Sequence, residues 1–324
     1  YLALCNSLTT TIKSVVGEQM GVKIYKKPRL KEPVLIACWS GIGNIGIIAV
    51  DTLRELLMAE ELGEIEPWDF FYPRSVLIED GVLKDLEFPS NKFYFARTDK
   101  RDLIFFIGEE QPSVEGRLYA RGEKAYQMAN LVLDVAQKFA CRRIYTSGAA
   151  VAPIHHTMKP RVLIAPTSEE LIKEAKQYKN VILMSEMEGR GQGKIIGLNG
   201  LLLGVAKERG LPGFSIMGEI PVYLQGAPLP YPKASKSVLE VLTSNLEIKV
   251  DLSKLDELAQ QVDRRIEEFY ELIPQEIRER IDQLKYLSPA EPIEPKPITE
   301  EDKKKIMEDI DKFFKGGKGH KEAL

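Results

Sequence analysis

Val34-Leu-Ile-Ala-Cys-Trp-Ser40 runs directly into Gly41-Ile-Gly-Asn-Ile-Gly46, and an apolar then charged segment from Ile47 to Leu62 follows. The first part has no polar face and reads as a strand buried between two layers. In the third part, Ile48, Val50, Leu53, Leu56 and Leu57 recur at helical spacing, with Gly63 as the expected helix stop. The glycines between them match G-x-G-x-x-G, which turns a strand sharply into a helix whose free N–H groups can face a phosphate. A dinucleotide site also requires an acid about 20 residues on, closing a second strand, to hold the ribose. Glu60 to Asp69 is acidic but reads as following a helix end, with no strand ending in an acid. Gly41, Gly43 and Gly46 are therefore expected to shape a packing turn, and no cofactor is expected.

Outward from this stretch, strands and helices alternate. Trp68 to Gly81 reads as an aromatic strand pair closing on the turn Asp80-Gly81. Lys92–Ala96 and Asp102–Gly108 read as strands, and Tyr119 to Phe139 as a long helix. Arg143–Gly148 reads as a strand entering a small-residue turn, Gly148 to Pro153. Val162–Ala165, a helix over Ser168–Tyr178 and Val181–Met184 repeat the pattern, followed by a helix over Ile195–Glu208, a strand over Phe214–Leu224 and a helix over Lys233–Leu246. This alternation predicts an α/β fold, a three-layer α/β/α sandwich with helices on both faces of a largely parallel sheet. After Asp251 only helices are expected, Leu255–Leu272 and Pro274–Leu287, as an antiparallel pair. The expected organisation is an N-terminal segment over 1–21, partly outside the core, an α/β/α domain with its helical pair over 22–287, a proline- and glutamate-rich linker over 288–298, and an amphipathic helix with a flexible tail over 299–324.

A chain of 324 residues with 44% hydrophobic content can bury a full core. Its formal charge of -3 argues against a general nucleic-acid binder. Cys5, Cys38 and Cys141 lack C-x-x-C spacing, which supports neither a disulfide framework nor a zinc site, and a reducing cytoplasm fits. No apolar run approaches the roughly 20 residues that span a bilayer. Tyr1 to Leu8 is too short for a signal peptide and has no basic start.

The remaining candidates are weaker chemistry. Gly189-Arg-Gly-Gln-Gly193 resembles a phosphate loop, but three residues rather than four separate Gly189 from Gly193, and Ile195 stands where a magnesium-binding hydroxyl belongs. Gly189, Gly191 and Gly193 read as a structural turn or as a loop presenting Arg190 and Lys194 to a partner. His155 and His156 titrate in the right range for acid–base work, but adjacent residues point in different directions and no carboxylate is evidently placed to orient either. Ser185-Glu-Met-Glu188 resembles the ribose-holding segment of nucleoside phosphorylases, over a few residues only. The C-terminal helix, capped by Thr299, carries Ile306, Ile310, Phe313 and Phe314 on an otherwise charged surface. That stripe must bury against its own body or against a partner.

Taken in order, Pro33 to Gly46, Asp80-Gly81, Asp102-Leu-Ile-Phe-Phe-Ile-Gly-Glu-Glu-Gln-Pro112, Arg143 to Gly148, Ile196 to Gly213 and Gly218-Glu-Ile-Pro221 resemble the PAC2 family, the proteasome assembly chaperone 2 type. The resemblance spans roughly 22–287. It implies a single α/β/α domain similar to nucleoside phosphorylases but without catalytic residues, acting as an assembly factor that holds proteasome α subunits. Archaeal members are expected to be homo-oligomers. Proteasome-docking tails in such proteins often carry a penultimate tyrosine, whereas Glu322-Ala323-Leu324 lacks one, so docking through the Leu324 carboxylate would differ from that mode. The expectation is a non-enzymatic, cytoplasmic, oligomeric chaperone or adaptor that binds proteasome α subunits or a partner chaperone through its C-terminal helix. The alternative is a nucleoside- or phosphate-binding enzyme using the Gly41–Gly46 and Glu186–Gly193 loops.

Overall fold

In the computed structural model, which describes residues 21–112, 122–186 and 193–286 together with 301, 304, 307 and 308, strand β2 (Val34–Trp39) is buried at every position. Alternate residues serve opposite layers. Val34, Ile36 and Cys38 enter one apolar core, while Leu35, Ala37 and Trp39 enter the other. A strand with no polar face thus forms the middle of a sandwich, because both of its faces are covered.

The other strands are β1 (Val22–Ile24), β3 (Glu60–Ile65), β4 (Ser75–Glu79), β5 (Val82–Glu87), β6 (Asn91–Ala96), β7 (Leu103–Gly108), β8 (Ile144–Ala152), β9 (Val162–Pro166), β10 (Val181–Leu183) and β11 (Gly213–Pro221). All except β4 and β5 form one sheet in the order β1-β3-β6-β7-β2-β8-β11-β9-β10. The four central strands, β7, β2, β8 and β11, run parallel. Both flanks depart from the expected parallel arrangement. Strands β1, β3 and β6 join in antiparallel fashion, and β9 lies antiparallel to β11. Of these antiparallel pairs only β6 and β7 are consecutive, and a short connection suits such neighbours; β9 and β10, joined through a helix, run parallel.

The helices are α1 (Ile45–Leu56), α2 (Gly122–Lys138), α3 (Glu169–Ala175), α4 (Leu198–Glu208), α5 (Pro232–Leu246), α6 (Ser253–Glu271) and α7 (Gln275–Gln283). Helices α1 and α5, backed by α6 and α7, cover one face; α2 and α4 cover the other. The layer order is therefore α/β/α. Leu255, Ile266 and Ile281 of the two C-terminal helices belong to the same core as β2, so that pair is integral to the sandwich.

Three local expectations are corrected. Gly63 does not stop a helix: α1 ends at Leu56, and Gly63 sits within β3 against β1, where a Cβ would press on the backbone at Lys23 and Ile24. The acidic segment from Glu60 is thus a strand, although an antiparallel one at the sheet flank. Gly148 to Ala152 does not turn but continues β8, because small side chains let α1 and α4 pack close to it. Asp80-Gly81 does close a hairpin, with Asp80 at φ +51° and Gly81 at φ +77°. Its strands are the aliphatic β4 and β5, however; Trp68 lies in a short 3-10 turn at Pro67–Asp69, and Phe70, Phe71 and Tyr72 follow it outside any strand.

The glycines of the opening motif have separate tasks. Gly43 adopts φ +60°, and its carbonyl accepts the Tyr231 N–H at 2.8 Å. Gly46 lies in ordinary helical backbone, but a Cβ there would stand 2.8 Å from the Ser147 carbonyl carbon. Gly41 is extended at φ -171° and has open space around it. Gly46→Ala should therefore cost about 1–3 kcal/mol by overpacking, while Gly41→Ala should stay within about 0.5 kcal/mol of the parent. Urea unfolding of the two variants checks this ordering, and equal losses would contradict it.

Candidate functional site

The glycine turn and the end of β8 enclose a cavity of about 320 Å³ at the C-terminal ends of the parallel strands. This is the place where open α/β sheets ordinarily bind ligands. Ser40, Gly41, Gly148, Lys194, Asn199 and Gln225 contribute to its lining. Among the described residues, Lys194 is the lining's single charged side chain.

Two polar side chains of the lining, Gln111 and Asn199, and two residues away from it, Asp102 and Glu219, hold elements together. Gln111 donates from Nε2 to the Ser40 carbonyl at 3.0 Å and accepts the Leu198 N–H at 3.0 Å, tying the glycine turn to the start of α4. Asn199 donates to the Ser147 carbonyl at 2.8 Å, tying α4 to β8. Asp102, before β7, accepts the Lys31 N–H at 2.7 Å and the Thr98 N–H at 3.1 Å. Glu219 in β11 is fully buried and receives the Arg161 backbone N–H at 2.8 Å and its guanidinium at 2.6 Å. Each of these residues lies in a sequence block singled out above, and each crosslinks two elements.

The histidines behave otherwise than their sequence suggested. Both are buried, with ring centroids 4.1 Å apart. The Tyr223 hydroxyl accepts the His156 backbone N–H at 2.8 Å and lies 2.7 Å from His156 Nδ1. That hydroxyl donates to Nδ1, leaving Nε2–H to donate to Glu267 at 3.0 Å. His155 Nε2 lies 3.5 Å from Asp282. The carboxylates come from α6 and α7, more than a hundred residues away in sequence, which is why the sequence did not reveal them. Neither histidine lines the cavity. The pair fastens the segment after β8 to the C-terminal helices.

Other sequence candidates are only partly placed. Ser185 and Glu186 lie in a 3-10 turn, where Glu186 accepts the Leu183 N–H at 3.3 Å, and Gly193 packs on Met184. Gly189 and Gly191 lie outside the described residues, as do Ile306, Ile310, Phe313, Phe314 and Leu324. Of the C-terminal helix, Met307 is described, and it lies against Gly226 in the turn after β11, one residue from the cavity-lining Gln225.

Burial, with the other histidine and Lys285 acting on His155 and Lys233 on His156, pushes both imidazoles down to about 4, and Asp282, Glu267 and Asp263 oppose this only in part. A folded value below the unfolded one means that the unfolded chain binds more protons between pH 6.5 and 4. This contribution is therefore present above about pH 6.5 and is lost as pH falls toward 4. Urea midpoints measured across that range should fall with acidification, and the fall should be shallower in His155→Gln/His156→Gln; an equal slope in both chains would contradict the assignment.

The comparisons agree with this architecture. The PAC2 family profile matches residues 35–270. Pyrococcus furiosus PbaB, an archaeal proteasome activator, shares 31% identity and a TM-score of 0.64, over 76% of this chain and 97% of that one. Pyrococcus furiosus PbaA, an archaeal homolog of proteasome-assembly chaperone, shares the fold at 21% identity and a TM-score of 0.56, over 82% of this chain and 98% of that one. An uncharacterized protein of Methanocaldococcus jannaschii is 29% identical over 239 residues, 74% of this chain and 83% of that protein. With the family blocks occupying the turn, the cavity wall and the crosslinks between layers, the chain belongs to the PAC2 family.

Proposed function

We propose that this protein is a non-enzymatic, oligomeric assembly chaperone or adaptor of the proteasome system, working in the cytoplasm and binding proteasome α subunits or a partner chaperone. The observation that carries this reading is the 31% identity to an archaeal proteasome activator across nearly the whole of that chain. The committed hydrogen bonds of Gln111, Asn199, Asp102 and Glu219 support it, because they assign the family's polar residues to architecture. In this reading the α/β/α body is the base and the segment 299–324 is the docking element, its stripe of Ile306, Ile310, Phe313 and Phe314 burying against the partner. The full chain should retain proteasome α subunits in a pull-down, and a chain lacking 289–324 should bind at least about tenfold more weakly, a loss of about 1.4 kcal/mol. Absence of binding by the full chain to α subunits or any assembly factor would overturn the proposal.

The cavity beside the glycine turn is the one observation favouring the second reading, an enzyme that binds a nucleoside or phosphate through the Gly41–Gly46 and Glu186–Gly193 loops. A ligand that binds only the folded state must raise its stability. Adenosine and inorganic phosphate, each at about 1 mM, should shift the melting temperature by less than about 1 °C. A rise of several degrees would favour the enzyme.

A further inference from the structure

The β4–β5 hairpin stands apart from the sandwich. None of its side chains belongs to either main core, and Val76, Leu77, Ile78, Val82 and Leu83 are between 40% and 65% exposed. Among the described residues its two strands pair only with each other. A lone two-stranded hairpin is marginally stable in water, and an exposed apolar edge invites another strand. The base is nevertheless fixed. Arg74 donates to Glu110 at 2.9 Å and to Glu109 at 3.2 Å, anchoring the hairpin to the end of β7.

The two outer edges differ. The β5 edge is blunted by a bulge, since Leu77 faces Asp85 while the next residue, Ile78, faces Leu83, leaving Lys84 without an opposite residue. The β4 edge, Ser75-Val-Leu-Ile-Glu79, is regular and carries no lysine, proline or central charge. Two identical antiparallel neighbours are related by a two-fold axis perpendicular to their sheet, so one residue must face its own copy. For β5, the registers that use most of the strand centre on Lys84 or Asp85 and set like charges on each other, which is destabilising. For β4, the register centred on Leu77 sets Leu77 on Leu77, Val76 on Ile78 and Ser75 on Glu79, with no like-charge pair.

We propose that the β4 edge is a self-association site, at which two copies of this chain pair antiparallel about Leu77 to form a four-stranded sheet. The pairing continues the hairpin's apolar face across the axis. Val76 already faces Leu86, and Ile78 faces Leu83, so Leu86 and Val76 of one copy line up with Ile78 and Leu83 of the other, twice over. Cross-strand apolar pairs of this kind are the unit of sheet stabilisation. The arrangement is isologous and closes after two chains, whatever further contacts build a larger assembly.

The test is the native mass of the purified full chain by light scattering. The wild type should be a two-chain unit or a multiple of it. Leu77→Lys and Leu77→Glu should each halve that mass with an unchanged far-UV spectrum, and an equimolar mixture of the two should restore it, because a lysine then faces a glutamate. A single-chain or odd-numbered wild type, an unchanged mass for either variant, or no restoration on mixing would overturn the proposal. Should a charged variant fail to fold, Leu77→Cys decides: oxidation should crosslink two copies through the introduced thiols, and absence of crosslinking refutes the pairing. Cys38 and Cys141 are buried, and the crosslinking variant carries Cys5→Ser as well, so that the thiol at position 77 is the one tested. No readout involves the proteasome, so failure of this pairing leaves the proposed partner binding standing, whereas a single-chain wild type would also overturn the oligomeric part of that proposal.

Discussion

The contact of α1 with β8 at Gly46, where any side chain would meet the Ser147 carbonyl, sets how closely the helical layer can lie on the sheet. Everything on that face follows from this approach. Ile45, Ala49, Val50 and Leu53 reach β2 and its neighbours only because the helix starts this near, and α5 then packs on α1 to extend the layer. The left-handed Gly43 makes the preceding turn tight enough and gives its carbonyl to Tyr231 at the entrance to α5. The motif is thus a device of approach, and a cavity lies beside it.

That cavity shows how polar side chains beside a pocket can serve the architecture. Gln111 and Asn199 of its lining join elements, and buried hydrogen-bond partners are costly to release. Away from the cavity, Glu219 is a buried carboxyl group that Arg161 meets with both its backbone N–H and its guanidinium. Fold alone does not imply chemistry; the site must supply groups free to perform it.

The C-terminal helices are bound in by a different interaction. His156, neutral and oriented by Tyr223, hands its remaining proton toward Glu267, while His155 stacks on it and approaches Asp282. This polar knot lies beside the apolar contacts of Ile266, Phe269 and Ile281, so the helices are located by directional as well as non-directional forces. The body presented to any partner consequently includes them.

The apolar run of β2, the helical periodicity of α1, α2, α4 and α5, and the hairpin turn at Asp80-Gly81 were legible because strand burial, amphipathic spacing and positive-φ turns are written locally. The ordered blocks likewise carried the family. What tertiary structure alone decided is whatever depends on partners distant in sequence. Small residues in Gly148–Ala152 look like a turn until α1 and α4 are seen lying on them, and Gly63 looks like a helix stop until β1 is seen beside it. The direction of the flanking strands and the carboxylates facing His155 and His156 were hidden for the same reason. Periodicity records which face of an element is apolar, but not what the chain brings back to cover it.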